Sequence, residues 1–137
     1  MALSESIRRR LDVMLDALSD LRRYRDRFDA RALSTDRDAQ HMVLHALYIA
    51  AQAAIDIALH GSAAAESPSA GTYQEAFGNL ATAGRLNPGL ALRMKGWAGL
   101  RNILAHQYVR VDLARIAAML SGELGDLEEF AAAVGRW

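Results

Sequence analysis

At 137 residues the chain is long enough to bury one hydrophobic core, and a hydrophobic content of 52% argues for a folded domain rather than a disordered tail. Sixteen basic residues cancel sixteen acidic ones, which excludes a global field that gathers nucleic acid but leaves room for a local basic patch. With no cysteine there are no disulfides or thiolate metal sites, and no apolar signal core follows Glu5–Arg10; the expectation is a cytoplasmic protein forming a single domain over residues 1–137.

Alanine, leucine, arginine and methionine are abundant, and proline occurs only at positions 68 and 88, a choice that predicts an all-α chain. Ser4 is the expected cap of a first helix, along which Ile7, Leu11, Met14, Leu15, Leu18, Leu21 and Phe28 draw an apolar stripe. Arg8, Arg9, Arg10, Arg22 and Arg23 read as its solvated face. A second helix is expected to begin after Thr35 or Asp36 and to end near His60, at Gly61 and Ser62. Its apolar residues, among them Val43, Leu47, Ile55 and Ile57, point in more than one direction, so the helix should be central or shared with another subunit. No uninterrupted apolar run reaches roughly eighteen residues, and no membrane contact is expected. Residues 61–71 read as a connection.

Thr72-Tyr73-Gln74-Glu75 matches a capping box, with Ala76, Phe77 and Leu80 as the packing face behind it. Asn87-Pro88 repeats the start signal for a helix running through Met94, Trp97 and Leu104, with Gly96 and Gly99 lowering its propensity. Asp112 is the expected cap of the next helix, and a weaker last helix covers Leu127 to Val134. Trp97 reads as core or subunit interface, and Trp137 as a disordered terminal residue or a partner contact.

The chemistry concentrates in Arg101-Asn102-Ile103-Leu104-Ala105-His106-Gln107-Tyr108. Basic residues also concentrate here, since Arg85, Arg93, Lys95, Arg101, Arg110 and Arg115 face only Asp112 between positions 85 and 115. Imidazole titrates near neutrality, so His106 suits removal of a proton from an RNA 2′-hydroxyl. Arg101 suits a different task, pairing donors with phosphate oxygens as charge develops at phosphorus. An ideal helix places these two side chains about 140° apart, which a kink after Gly99, the long arginine side chain or a dimer would have to bridge. An ion pair of Arg101 with Asp56 is the structural alternative. His41 and His45 share a helical face, but no third ligand at metal-binding spacing accompanies them.

The segment Ala54-Ile55-Asp56-Ile57-Ala58-Leu59-His60, the Thr72–Phe77 stretch and Leu100–Tyr108 together resemble the HepT-like branch of the HEPN superfamily, helical ribonuclease toxins encoded beside nucleotidyltransferase antitoxins. The resemblance runs from about residue 40 to residue 116 and includes Val111-Asp112 after the motif; Leu100 and Ala105 replace bulkier residues often seen at those positions. It implies an antiparallel helical bundle with shorter C-terminal helices. It implies further that Arg101 and His106 form the catalytic pair of a metal-independent endoribonuclease, that Asn102 supports it, and that Tyr108 is a site of adenylylation; Asp56 reads as a supporting or structural carboxylate rather than a catalyst. The implied partners are RNA, a second copy of the chain and an MNT-type nucleotidyltransferase antitoxin in a type VII-like system. RNA cleavage would need no cofactor; ATP and Mg would serve the transferase. The competing reading is a catalytically inactive helical protein that binds nucleic acid or the nucleotidyltransferase.

Overall fold

A computed structural model describes residues 3–106 and 111–137, and every regular element among them is helical. The helices are α1 (Glu5–Arg27), α2 (Ala30–Thr35), α3 (Arg37–Ala64), α4 (Tyr73–Thr82), α5 (Pro88–His106), α6 (Leu113–Gly122) and α7 (Leu124–Val134). They form a bundle with its shorter helices toward the C-terminus. Helix α3 runs through its centre, packing against α1, α4, α5 and α7.

Capping chemistry explains most of the starts. Ser4 Oγ accepts from the Ile7 amide at 3.2 Å, and Asp36 Oδ1 accepts from Asp38 and Ala39 at 2.9 and 3.2 Å. Asn87 Oδ1 accepts from Gly89 at 2.8 Å, and Asp112 Oδ1 from Ala114 at 3.1 Å. Each bond satisfies an amide that the helix itself leaves unpaired. Asp29 does the same for the six-residue α2, accepting from Ala32 at 2.8 Å. That helix was not expected from the sequence, because so short an element shows too little periodicity to register.

Helix α3 does not end at Gly61 and Ser62 but continues to Ala64. Tertiary contacts override the glycine signal. A Cβ at Gly61 would lie 2.5 Å from the Trp137 ring, so the absent side chain is what lets that ring pack against the helix. Buried Ser62 donates its hydroxyl to the Ala76 carbonyl of α4 at 3.0 Å, tying the two helices together. Trp137 is therefore not disordered: its indole N–H donates to the Arg85 carbonyl at 3.0 Å, and the Arg85 guanidinium stands 5.1 Å from its ring.

By length and composition α3 could cross a membrane, with a mean hydropathy of 1.7 over its most apolar window, yet 61% of that window is buried inside the bundle. Core packing accounts for its apolarity. Met14, Leu47, Ile55, Ile57, Phe77 and Phe130 are fully buried, and the two phenylalanine rings meet edge to face at 5.6 Å. Trp97 belongs to this core and donates its indole N–H to Asp126 at 3.2 Å, joining α5 to α7. Leu15, by contrast, leaves the expected apolar stripe and is exposed. Arg10 makes the opposite departure from its expected solvated face: it is half-buried against α3.

At the far rim of α7, Arg93 reaches Glu129 at 2.8 Å and Asp126 at 3.3 Å. Hydrogen bonding to Glu129, ahead of the two carboxylate charges, pushes the Arg93 guanidinium above its ordinary range. This arginine is committed to the α5–α7 contact.

Candidate active site

The apolar character of α3 is interrupted along one side by Tyr48, Gln52 and Asp56, spaced four residues apart and each half-buried. Four-residue spacing stacks them on one helical face. Arg101 of α5 meets this polar line. Its Nε donates to Gln52 Oε1 at 2.6 Å, while Gln52 Nε2 donates to Asp56 Oδ1 at 3.0 Å. The amide thus passes orientation from the carboxylate to the guanidinium. Arg10 Nε approaches the other Asp56 oxygen at 3.9 Å.

The direct ion pair of Arg101 with Asp56 considered from the sequence is replaced by this relay. Asp56 engages Gln52 and Arg10, and its backbone carbonyl lies 2.8 Å from His60 Nδ1. The Arg101 guanidinium also stands 5.2 Å from the ring centre of Tyr73 and 5.8 Å from that of Tyr48. Nη1 makes a longer bond of 3.3 Å to Asn102 Oδ1, so Asn102 does touch the arginine it was expected to support. With Nε held by Gln52 and the group half-buried, the guanidinium is a fixed cation with donor capacity left at its outer edge.

His106 is different. It is the last described residue of α5, it is exposed, and it has no hydrogen-bond partner among the described residues. Asn102 and Ile103 are exposed on the preceding turn. Thus the structure brings together Arg101, Asn102 and, through Gln52, Asp56; His106 makes no hydrogen bond to them. Tyr108 lies outside the described residues. Sequence reasoning missed Gln52, Tyr48, Tyr73 and Arg10; a line of half-polar residues interrupting an otherwise apolar helix was the available signal for the first two.

A separate groove of about 780 Å³ runs between α1 and α3, floored by residues such as Val13, Ala46 and Ile49, and contains neither Arg101 nor His106. His41 and His45 line it beside Asp16 and Asp20. Among the described residues no group of three or more histidines or carboxylates is placed to hold a metal ion.

Comparison with known proteins places this geometry. The model of a family described as ribonuclease HepT-like matches residues 14–134. No curated protein matches the chain by sequence. Among solved structures, a chain from the tri-AMPylated Shewanella oneidensis HEPN toxin in complex with MNT antitoxin is 21% identical, with a TM-score of 0.89 over 98% of this chain and 100% of that one. A chain from a MntA–HpeT toxin–antitoxin mutant is 22% identical, with a TM-score of 0.86 over 98% and 100%. One from a toxin–antitoxin with AMP-PNP is 21% identical, with a TM-score of 0.85 over 96% and 99%. At those identities the structural likeness bears on the fold, which is the HEPN-like helical bundle. The family model covers all but the first thirteen and last three residues, Arg101 and His106 included, and the chain belongs to the HepT-like ribonuclease family.

Proposed function

We propose that this chain is the endoribonuclease toxin of a cytoplasmic toxin–antitoxin pair, built as one domain over residues 1–137, with Arg101 and His106 as its catalytic residues. The observation that carries the reading is the guanidinium pinned by Gln52 at 2.6 Å five residues before an exposed imidazole on the same helix that makes no hydrogen bond among the described residues. A pinned planar cation suits a phosphate whose charge grows in the transition state. An exposed imidazole suits proton transfer.

In the proposed reaction His106 takes the proton of the 2′-hydroxyl as that oxygen bonds to phosphorus, and the bond from phosphorus to the 5′-oxygen breaks. The departing oxygen receives a proton from an imidazolium. The products are a 2′,3′-cyclic phosphate and a 5′-hydroxyl, and no metal is required by this proton balance. Asn102 and Asp56 act as positioning residues for Arg101.

A second copy supplies what one face of α5 does not. Leu92, Gly96, Gly99, Ile103 and His106 recur at alternating spacings of four and three, a seam that a partner helix can enter. Leu92 and Ile103 are 70% and 43% exposed, and a Cβ at Gly96 would meet nothing within 4 Å. Pairing of two such seams brings both His106 side chains to one cleft and divides the base and acid roles between them.

The partner proposed for silencing is an MNT-type nucleotidyltransferase, using ATP and Mg to adenylylate Tyr108. Support comes from the family and from the AMPylated state in which the Shewanella relative was solved with its MNT antitoxin. Mass spectrometry after incubation with transferase, ATP and Mg should find AMP on Tyr108; its absence while a control substrate is modified refutes this regulation.

The direct test of the enzyme is cleavage of RNA in the presence of EDTA with both fragment ends mapped. Cyclic phosphate and 5′-hydroxyl termini, lost in His106→Ala and Arg101→Ala, are expected. Undiminished cleavage by both folded variants overturns the assignment, and RNA binding without turnover by the wild-type chain marks it as a silent member of the family.

A further inference from the structure

Two aromatic rings border Arg101, and the cleavage chemistry proposed above uses neither. Tyr48 lies one turn before Gln52 on α3, and Tyr73 is the first residue of α4. The position of Tyr73 is set from both sides. Thr72 Oγ1 accepts from the Glu75 amide at 3.2 Å, and Glu75 Oε2 accepts from the Gly71 amide at 2.7 Å. This reciprocal cap fixes the first turn of α4, which packs against α5.

Both rings are half-buried, and neither phenol hydroxyl has a hydrogen-bond partner among the described residues. The contact each makes with the site is therefore through its π-system, at 5.2 Å for Tyr73 and 5.8 Å for Tyr48 from the guanidinium carbon. Both rings also pack against the core, and their half-exposed parts stand beside a cation with spare donors. Unpaired nucleobases offer open π-faces of matching size, and proteins that handle single-stranded RNA stack them on aromatic side chains and on arginine planes. A base inside a duplex has both faces covered and cannot do so.

We propose that Tyr48 and Tyr73 form a nucleobase-stacking subsite around Arg101, so that the substrate presents unpaired bases beside the phosphate that Arg101 holds. The proposal rests on the reading of Arg101 as a phosphate ligand and adds the class of RNA to it. Stacking tolerates any base, so the subsite selects for strand state more than for sequence.

The test measures fluorescence anisotropy with full-length His106→Ala protein and a fluorescein-labelled adenosine dodecamer, beside an abasic dodecamer with the same sugar–phosphate backbone. Tyr73→Ala is expected to weaken binding of the adenosine strand about tenfold and of the abasic strand by less than about twofold. Tyr48→Ala should act in the same direction, and Tyr73→Phe, which keeps the ring, should restore the preference for bases. Tyr73→Leu, which keeps apolar bulk without a π-face, replaces the alanine variant if circular dichroism shows that variant to be unfolded. Equal losses for both strands identify the rings as mere supports of Arg101 and overturn the proposal, as does an unchanged affinity. Either outcome, combined with RNA cleavage by the wild-type chain, leaves the ribonuclease reading intact; a wild-type chain that neither binds nor cleaves RNA removes both.

Discussion

Arg101 and His106 share one helix, and the fold treats them in opposite ways. Arg101 is half-buried, bonded to Gln52 and Asn102, and flanked by Tyr48 and Tyr73; His106 is exposed, without a hydrogen bond among the described residues. The guanidinium is held by contacts within one chain, whereas among the described residues no hydrogen bond orients the imidazole. Preorganised charge costs no reorganisation at the moment of reaction, so stability is invested where charge must be held still.

This contrast is most sharply tested by His106→Ala. Turnover of RNA should fall by about two to four orders of magnitude, while urea unfolding changes by no more than about 0.5 kcal/mol. A large loss of stability would instead show that His106 is held by the fold. Arg101→Lys comes next, with an expected loss of about a hundredfold in turnover, because an ammonium cannot bond Gln52 through one nitrogen and keep a planar fork for phosphate. Near-wild-type rates in that variant would mean that charge alone suffices.

Gln52→Leu breaks the relay from Asp56 while leaving Arg101 in place. We expect about a tenfold drop in turnover, and a stability loss of about 1 kcal/mol after allowing for the half-exposed setting of the guanidinium. If the rate is unchanged, Arg101 finds its own position. The smallest effect on turnover should come from Gly61→Ala, whose Cβ would lie 2.5 Å from the Trp137 ring. Overpacking there should lower stability by about 1–3 kcal/mol, read by thermal melting, with turnover per folded molecule preserved.

Much of the scaffold was legible because capping is local. Ser4, Asp36, Thr72, Asn87 and Asp112 each carry the expected cap bond, since the signal and its partner lie within three residues. The failures have an equally definite origin. Helix α7 begins at Leu124, earlier than its apolar pattern suggests, and Glu123 provides no side-chain cap to mark the start. The end of α3 depends on Trp137, seventy-six positions beyond Gly61, and no local rule reaches that far.

The candidate site divides along the same line. Arg101 and His106 stood out by residue type and spacing, and Asp56 as a carboxylate that could pair with or support Arg101. The bond from Arg101 to Gln52 joins residues 49 positions apart, so its existence depended on how α3 and α5 pack. Tyr73 lay within the stretch that carried the family resemblance, but only the capped first turn of α4 shows that its ring meets the arginine.

The indole placements have a practical consequence for following this protein in solution. Its only two tryptophans sit in unlike surroundings: Trp97 is enclosed between α5 and α7 with its N–H on Asp126, and Trp137 lies half-covered over Gly61 with its N–H on the Arg85 carbonyl. Intrinsic emission therefore has two built-in reporters. Trp97→Phe leaves a probe for release of the chain end from α3, and Trp137→Phe leaves one for separation of α5 from α7; coincident unfolding curves from the two would show the bundle opening as one cooperative unit.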